Sequence, residues 1–406
     1  MTFLDLIFNP KSKFIVITFL VSVIGFFKSF IILKIFDLEA LGLVTLSQTI
    51  VTSISLLQLG VVTGGYRLFS YKKEFVLNGV NSAVLVFFIL LSILLIIGGF
   101  FVKLLLKPGI DTLVILFFIV IGIISLYANW VTCKLLGIKN IALLNKAQLA
   151  SAIVSFIVTG FAFYFGLLAV FLGIILQPII LILVIYIAVP SLRPVYNLKS
   201  FKKIILKVIA LGFIPYLTTA LNYLNTQLGR WVITISLGTI FLGKTFLVTL
   251  FISLVSVFPV AVSNLFFPSI IEKFEMNLKE EVILSLKRQF LLLFIYFLGV
   301  TLFTLLLAKV LVSYFFPKHL DSVYLIYAII PCVILLNLSS PAIIFFNAAK
   351  KFKQILVGSI VSVLSYIILL MLYIAFFRTK IVGFLVIESI AASFFFYTIA
   401  IIFFTS

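Results

Sequence analysis

The sequence predicts an all-α polytopic membrane protein with about twelve transmembrane helices in two pseudo-symmetric six-helix lobes around a central cavity. Three observations predict the membrane class. The 406 residues are 64% hydrophobic and only 10% charged, with 47 Phe, and the mean hydropathy is +1.40. Stretches such as "FFILLSILLIIGGFFV" (87–102) carry no charge and belong to apolar runs of the length, about 18 residues or more, that spans a bilayer. Such runs recur along the whole chain and are apolar all round, which excludes the one-sided stripe of a helix lying on a soluble core.

Reading apolar runs between charged or Pro/Gly-marked breaks gives twelve spans: 14–36, 40–63, 79–102, 112–133, 141–164, 167–189, 207–236, 241–265, 289–313, 322–346, 354–377 and 381–404. The first follows "MTFLDLIFNPKSKFIVITFL", which is basic and then apolar like a signal peptide. It lacks a small-x-small cleavage site and is long enough to cross, so it reads as a retained first helix. No connection exceeds roughly 20 residues. The longest polar one, "PSLRPVYNLKSFKK" (190–203), holds two prolines at mid-chain. It divides the chain into an N-terminal lobe (1–189, helices 1–6), a cytoplasmic linker (190–206) and a C-terminal lobe (207–406, helices 7–12).

With a cytoplasmic N-terminus, twenty of the 30 Lys and Arg fall in cytoplasmic segments and eight in outer ones, leaving Lys28 and Arg230 inside helices. This is the positive-inside pattern, and it puts both termini in the cytoplasm. The formal net charge of +19 then reflects orientation and contact with anionic membrane lipids rather than nucleic-acid binding.

Several chemistries lose their signatures. Cys133 and Cys332 lie in apolar stretches and suggest no disulfide framework. His319 is the single histidine, with no cysteine or carboxylate pair beside it, so no metal site is expected. "GTIFLGKT" (238–245) satisfies the phosphate-binding pattern G-x-x-x-x-G-K-[ST]. That motif needs a buried strand before it and a helix after it in a soluble α/β domain. Here it falls at an outer loop between two spans, so no nucleotide and no other cofactor is expected.

Charge inside a bilayer costs about 2.5–3.5 kcal/mol on insertion scales, which makes each intramembrane ionisable residue a functional candidate. Lys28, Arg230 and Glu388 qualify. Lys28 lies nine residues before Asp37, Arg230 eight before Gly238, and Glu388 eight after Lys380. At about 1.5 Å per residue, all three lie roughly 12 Å below the outer boundary, in one layer that suits a water-filled cavity. Two readings stand together. Glu388 neutralises one of the cations while Lys28 snorkels outward, or the three serve substrate binding and ion coupling.

Polar stripes add to this. The second span carries Thr45, Gln48, Thr52 and Ser55 on one face; the fifth carries Gln148, Ser151 and Ser155; the tenth has Asn337, Ser339 and Ser340 before Pro341. The seventh, in "NYLNTQLGR" (222–230), aligns Asn222, Thr226 and Arg230, with Asn225 and Gln227 beside them. Ser and Thr are expected in ordinary helix–helix hydrogen bonds, whereas the Asn, Gln and Arg cluster is expected in the cavity. Pro178, Pro215, Pro259, Pro331 and Pro341 fall within spans and permit kinks. A weak internal repeat places Gly42 on Gly243, with Leu-Gly pairs 41–42 and 242–243 in register. Transporters are often built from such repeats.

The chain resembles the bacterial polysaccharide flippases (O-antigen or repeat-unit transporters) of the multidrug/oligosaccharidyl-lipid/polysaccharide exporter superfamily. The likeness rests on four stretches in order: "LEALGLVTLSQTIVTSISLLQLGVVTGGYRLFS" (38–70), "LNTQLGRWVITISLGTIFLGKTF" (224–246), "FPSIIEKFE" (267–275) and "SSPAIIFFNAAKKFK" (339–353). One departure is Lys244-Thr245, where relatives often have an aromatic; it makes the outer mouth more cationic.

The resemblance implies two lobes around a V-shaped cavity in a bacterial plasma membrane, with an undecaprenyl-diphosphate-linked oligosaccharide as cargo. Lys28 and Arg230 would hold the diphosphate. Gln48, Asn222, Asn225 and Gln227 would bond sugar hydroxyls. Arg67 would attract the headgroup at the cytoplasmic entrance or serve as a plain positive-inside anchor, and Glu388 would carry H⁺ or Na⁺. Polysaccharide polymerase and glycosyltransferases are the implied partners. Three alternatives are a multidrug/cation antiporter of the same superfamily, a membrane polysaccharide polymerase or ligase, and a non-transporting scaffold. An antiporter for cations would call for more intramembrane acids than one. A polymerase would call for a large outer loop.

Overall fold

The computed structural model describes residues 10–71, 74–105, 112–138, 140–193, 201–376 and 380–405. Among these, every regular element is helical. In chain order they are α1 (Pro10–Ile35), α2 (Leu38–Ser55), α3 (Val61–Tyr71), α4 (Glu74–Leu105), α5 (Thr112–Gly137), α6 (Ile141–Gly160), α7 (Ala162–Phe165), α8 (Leu167–Ala188), α9 (Phe201–Ser236), α10 (Thr239–Glu275), α11 (Lys279–Phe315), α12 (Val323–Leu338), α13 (Ser340–Ala348), α14 (Phe352–Phe376) and α15 (Ile381–Thr405). Twelve segments are long and apolar enough to cross a membrane, matching the twelve apolar runs of the sequence. Local signals fix several ends. Asp37 Oδ1 accepts the Ala40 N–H at 3.0 Å at the start of α2, and Asn140 Oδ1 accepts the Leu143 N–H at 3.3 Å at the start of α6. Each satisfies a donor that the first helical turn leaves without a partner.

The helices depart from the expected runs at three places. The second span breaks after Ser55: a 3₁₀ turn (Leu56–Gln58) leads into Leu59 and Gly60, with φ of 51° and 82°, before α3 begins. The tenth breaks at Ser339, with Pro341 in the first turn of α13, where a missing N–H costs nothing. The third departure is at the loop expected between spans 8 and 9, most of which is helical. α10 and α11 run 37 residues each, about 55 Å at 1.5 Å per residue, well beyond a bilayer core of about 30 Å. They extend because Ile270, Val282 and Leu286, outside the expected runs 241–265 and 289–313, form a buried cluster with Ile344 and Ala348 at the end of the tenth span. Asn277, at φ 57°, makes the turn between them, and Lys273 pairs with Glu281 at 3.2 Å.

By contact the chain forms two compact units. One contains Met1–Ile35 with Leu43–Leu217; the other contains Phe36–Gly42 with Thr218–Ser406. The division therefore falls inside α2 and inside α9. Glycine explains both points. In the first unit Gly212 of α9 meets Gly60 and Gly64 so closely that an added Cβ would collide with the Gly60 carbonyl, and one at Gly64 would collide with that of Val208. In the second unit a Cβ at Gly42 would collide with the Thr239 carbonyl, and one at Gly243 with the Leu38 carbonyl. Small residues let helix backbones touch in this way within a membrane.

The first unit also buries a cation that the sequence counts among its cytoplasmic charges. Lys134 is 0% exposed. Its Nζ donates to the Leu192 carbonyl at 2.8 Å, Asn81 Oδ1 at 3.1 Å and Tyr186 Oη at 3.2 Å. Trp130 Nε1 donates to the same Asn81 oxygen at 3.0 Å. Three N–H groups meet three neutral acceptors, which is the condition for tolerating a buried ammonium. Lys134 ties α5 to α4, to α8 and to the turn after α8, so its role is internal rather than an interfacial anchor.

Candidate functional site

Proline shapes the polar sites. Pro215 has no N–H to offer the Leu211 carbonyl one turn earlier, and Arg67 from α3 donates to that carbonyl at 3.1 Å. The Tyr216 hydroxyl donates to the Leu56 carbonyl, at the break of the second span. Pro259 likewise frees the Val255 carbonyl in α10, and the Tyr296 hydroxyl of α11 donates to it at 2.8 Å. Arg67, expected as a headgroup attractor or a surface anchor, thus repairs the backbone of α9 inside its own unit.

Arg230 and Glu388 lie in the second unit and line one small cavity. α9 contributes Thr226, Gly229 and Arg230; α10 contributes Thr245 and Thr249; α12 contributes Ile329; α15 contributes Phe384, Leu385 and Glu388. Arg230 donates through a terminal guanidinium nitrogen to Thr249 Oγ1 at 3.1 Å. Thr226, one turn before Arg230, donates to Glu388 Oε1 at 2.8 Å. The two charges share the cavity without forming an ion pair; the ion pair found among the described residues is Lys273–Glu281. The cavity measures about 30 Å³, room for one or two waters and far too small for a diphosphate. Beside it the buried Tyr366 hydroxyl has no hydrogen-bond partner, and a Cβ at Gly229 would lie 2.7 Å from that oxygen.

Lys28 belongs to the first unit. Its Nζ donates to Ser155 Oγ at 2.6 Å, and Ser155 Oγ donates onward to the Gly173 carbonyl at 2.5 Å. The ammonium is half-buried and held by a residue of the fifth span's polar stripe. Gln48 is half-buried on α2. Gln227 is 5% exposed, with its Oε1 lacking a partner. The side chains of Asn222 and Asn225 lie outside the described residues. Half of the hydroxyls in the stripes turn inward on their own helix. Thr52, Ser55, Ser151 and Ser339 all donate to carbonyls three or four residues back, the ordinary use expected of them.

Thr249, which lines the cavity, and Tyr366, beside it, are polar residues that the sequence did not single out. Thr249 repeats Thr245 one turn on, a weak signal; Tyr366 is a single hydroxyl in the apolar run of α14. The segment 238–245 holds no phosphate loop: helix α10 begins at Thr239 and continues through Lys244, whose Nζ sits 5.5 Å from the centre of the Phe241 ring.

No protein-family model matches the chain, and no curated relative matches it. Solved structures do. An inward-facing multidrug resistance MATE family transporter of the MOP superfamily aligns with a TM-score of 0.76 at 12% identity, over 95% of each chain. The lipid II flippase MurJ in an inward closed conformation aligns with a TM-score of 0.76 at 16% identity, over 96% of this chain and 86% of that one. A MOP superfamily transporter from Pyrococcus furiosus, described by a reversed polarity of its binding pocket, aligns with a TM-score of 0.64 at 14% identity, over 98% and 97%. The chain therefore has the polytopic fold of MOP-superfamily transporters.

Proposed function

We propose that this chain is a flippase that moves undecaprenyl-diphosphate-linked oligosaccharide repeat units from the cytoplasmic to the outer leaflet by alternating access, for surface polysaccharide such as O-antigen or capsule. The observation that carries this reading is Arg230. It is a guanidinium placed within a span, bonded to one threonine and joined to no carboxylate. A planar guanidinium grips phosphate oxygens in pairs, and it does so more strongly where water is scarce. Lys28 supplies a second cation held by one hydroxyl, with donors left for an anion. One structural neighbour is a lipid II flippase, so this fold can serve a lipid-linked cargo.

Alternating access needs two seals that open in turn. The glycine crossings fit that task. Gly42 and Gly243 would close the outer end, and Gly60, Gly64 and Gly212 the cytoplasmic end, with orientation taken from the charge asymmetry. Gln48, Gln227, Asn222 and Asn225 would meet sugar hydroxyls. Glu388, held by Thr226, would couple transport to H⁺ or Na⁺. Neutralising it makes the Arg230 cavity more cationic, so ion binding and anion binding favour each other.

A second reading is a cation antiporter, favoured by Glu388 and by the multidrug transporters that share the fold. Complementation separates the two. A strain lacking its own repeat-unit flippase should regain surface polysaccharide with this chain and lose it with Lys28→Ala plus Arg230→Ala. Full polysaccharide from the double variant would remove the diphosphate clamp. Drug resistance that depends on Glu388 alone would favour the antiporter.

A further inference from the structure

A second, larger cavity is distinct from the Arg230–Glu388 site and shares no residue with it. It measures about 1100 Å³ and lies wholly in the second unit, between the α10–α11 turn, α11, α13 and the end of α15. That volume is at the top of the range of about 300–1,000 Å³ for small-molecule sites. Its walls are apolar, including Ile283, Phe290, Phe345, Ala342, Ala400 and Phe404, and Phe404 is 85% exposed.

Polarity is confined to a few places. Asn277, Lys279 and Lys287 line the α11 end. Lys279, Ile283, Lys287 and Leu291 follow one another every four residues, so one face of α11 presents both cations and the apolar wall. Glu280 and Glu281 stand off that face and are not among the lining residues. Glu281 pairs instead with Lys273. From Lys279 to Leu291 the groove follows α11 for about 18 Å, from the charged stretch before the apolar run 289–313 into its first turn.

A groove with apolar walls, whose two cations precede the apolar run 289–313 of α11, has the charge pattern of a single lipid at the membrane interface. We propose that it binds one phosphate-headgroup phospholipid of the cytoplasmic leaflet, with a hydrocarbon chain along Phe290, Leu291 and Phe396 and the headgroup against Lys279 and Lys287. This does not depend on what the Arg230 cavity carries. Each lysine near an anionic headgroup favours it about fivefold, so two give a preference of about 25-fold over a zwitterionic lipid.

The test is native mass spectrometry of the full chain released from vesicles of equal phosphatidylglycerol and phosphatidylcholine. One phosphatidylglycerol should be retained. Ala400→Trp, which fills the groove, should cut retention at least tenfold. Lys279→Gln with Lys287→Gln, both exposed and so safe for folding, should still retain a lipid but bring the two headgroups to parity. Soluble glycerol phosphate should displace nothing. Equal retention and equal headgroup preference in wild type and the lysine variant would overturn the proposal. So would displacement by glycerol phosphate, which would mark a free-phosphate site.

Discussion

Placing a side chain at either glycine crossing should bias the protein toward opposite states. At Gly42, an added Cβ collides with the Thr239 carbonyl oxygen and lies 2.7 Å from its carbon. Ordinary contact begins near 3.4 Å, so the backbones must part by more than the roughly 0.7 Å that the carbon alone requires, since the oxygen is nearer still, and valine adds two further methyls. Overpacking of this kind costs about 1–3 kcal/mol. Charged only to the closed crossing, it shifts the open-to-closed ratio there by about 5–150-fold. Gly212→Val does the same at the other crossing, where its Cβ collides with Gly60 and lies 2.8 Å from the Gly64 Cα. The assay is labelling of Thr249→Cys, on the Arg230 cavity, by a membrane-impermeant maleimide in intact cells and in inverted vesicles. Cys133 and Cys332 are buried and give little background. Gly42→Val should raise labelling in intact cells and Gly212→Val in inverted vesicles, each at least fivefold. If both variants raise labelling from one side, or neither changes it while transport is lost, the crossings are structural contacts and not seals.

Arg67→Leu should lower thermal stability by about 1.5–3 kcal/mol, the worth of a charged hydrogen bond to a carbonyl that would otherwise stay unsatisfied. Adding Pro215→Ala should recover most of it by returning an N–H to Leu211. Tyr296→Phe should cost about 1 kcal/mol for the same reason, and little in a Pro259→Ala background, so a double-mutant cycle in unfolding reads the coupling directly. Lys134→Glu should destabilise strongly, because a buried carboxylate would face the oxygens of Leu192 and Asn81, which lose their ammonium donor; circular dichroism melts and expression level report it.

Spans and charges were legible in the sequence for one reason: each is a departure from water-soluble composition that a bilayer enforces. Lys28, Arg230 and Glu388 stood out against apolar neighbours. Their partners did not. Ser155 holds Lys28 and Thr249 holds Arg230, yet in sequence both look like Thr52 and Ser55, which bond only their own helix. Rotation about χ1 decides between these uses, and sequence periodicity carries no information on it. Arg67 and Lys134 look like interfacial cations because both lie near the ends of apolar runs. Their inward direction depends on which carbonyls face them: Leu211, freed by a proline in another helix, and Leu192, in the turn after α8. The extensions of α10 and α11 were hidden because "IIEKFE" and "KEEVILSLKRQ" are charged enough to read as loop, while their apolar face packs on α13. Leu59-Gly60 lies within the quoted stretch 38–70, but its left-handed turn and its approach to Gly212 were not legible there.

The central claim is that Arg230 and Lys28 hold a diphosphate in transit. The most direct measurement is flipping in proteoliposomes of a fluorescent polyprenyl-diphosphate oligosaccharide, followed by quenching of the outer-leaflet pool with a membrane-impermeant reagent. The account predicts translocation by the wild-type chain and at least tenfold slower translocation with Arg230→Ala. It also predicts that Arg230→Lys recovers only part of the rate, since a point charge cannot reproduce the guanidinium's paired contacts. Wild-type rates from Arg230→Ala combined with Lys28→Ala would contradict it.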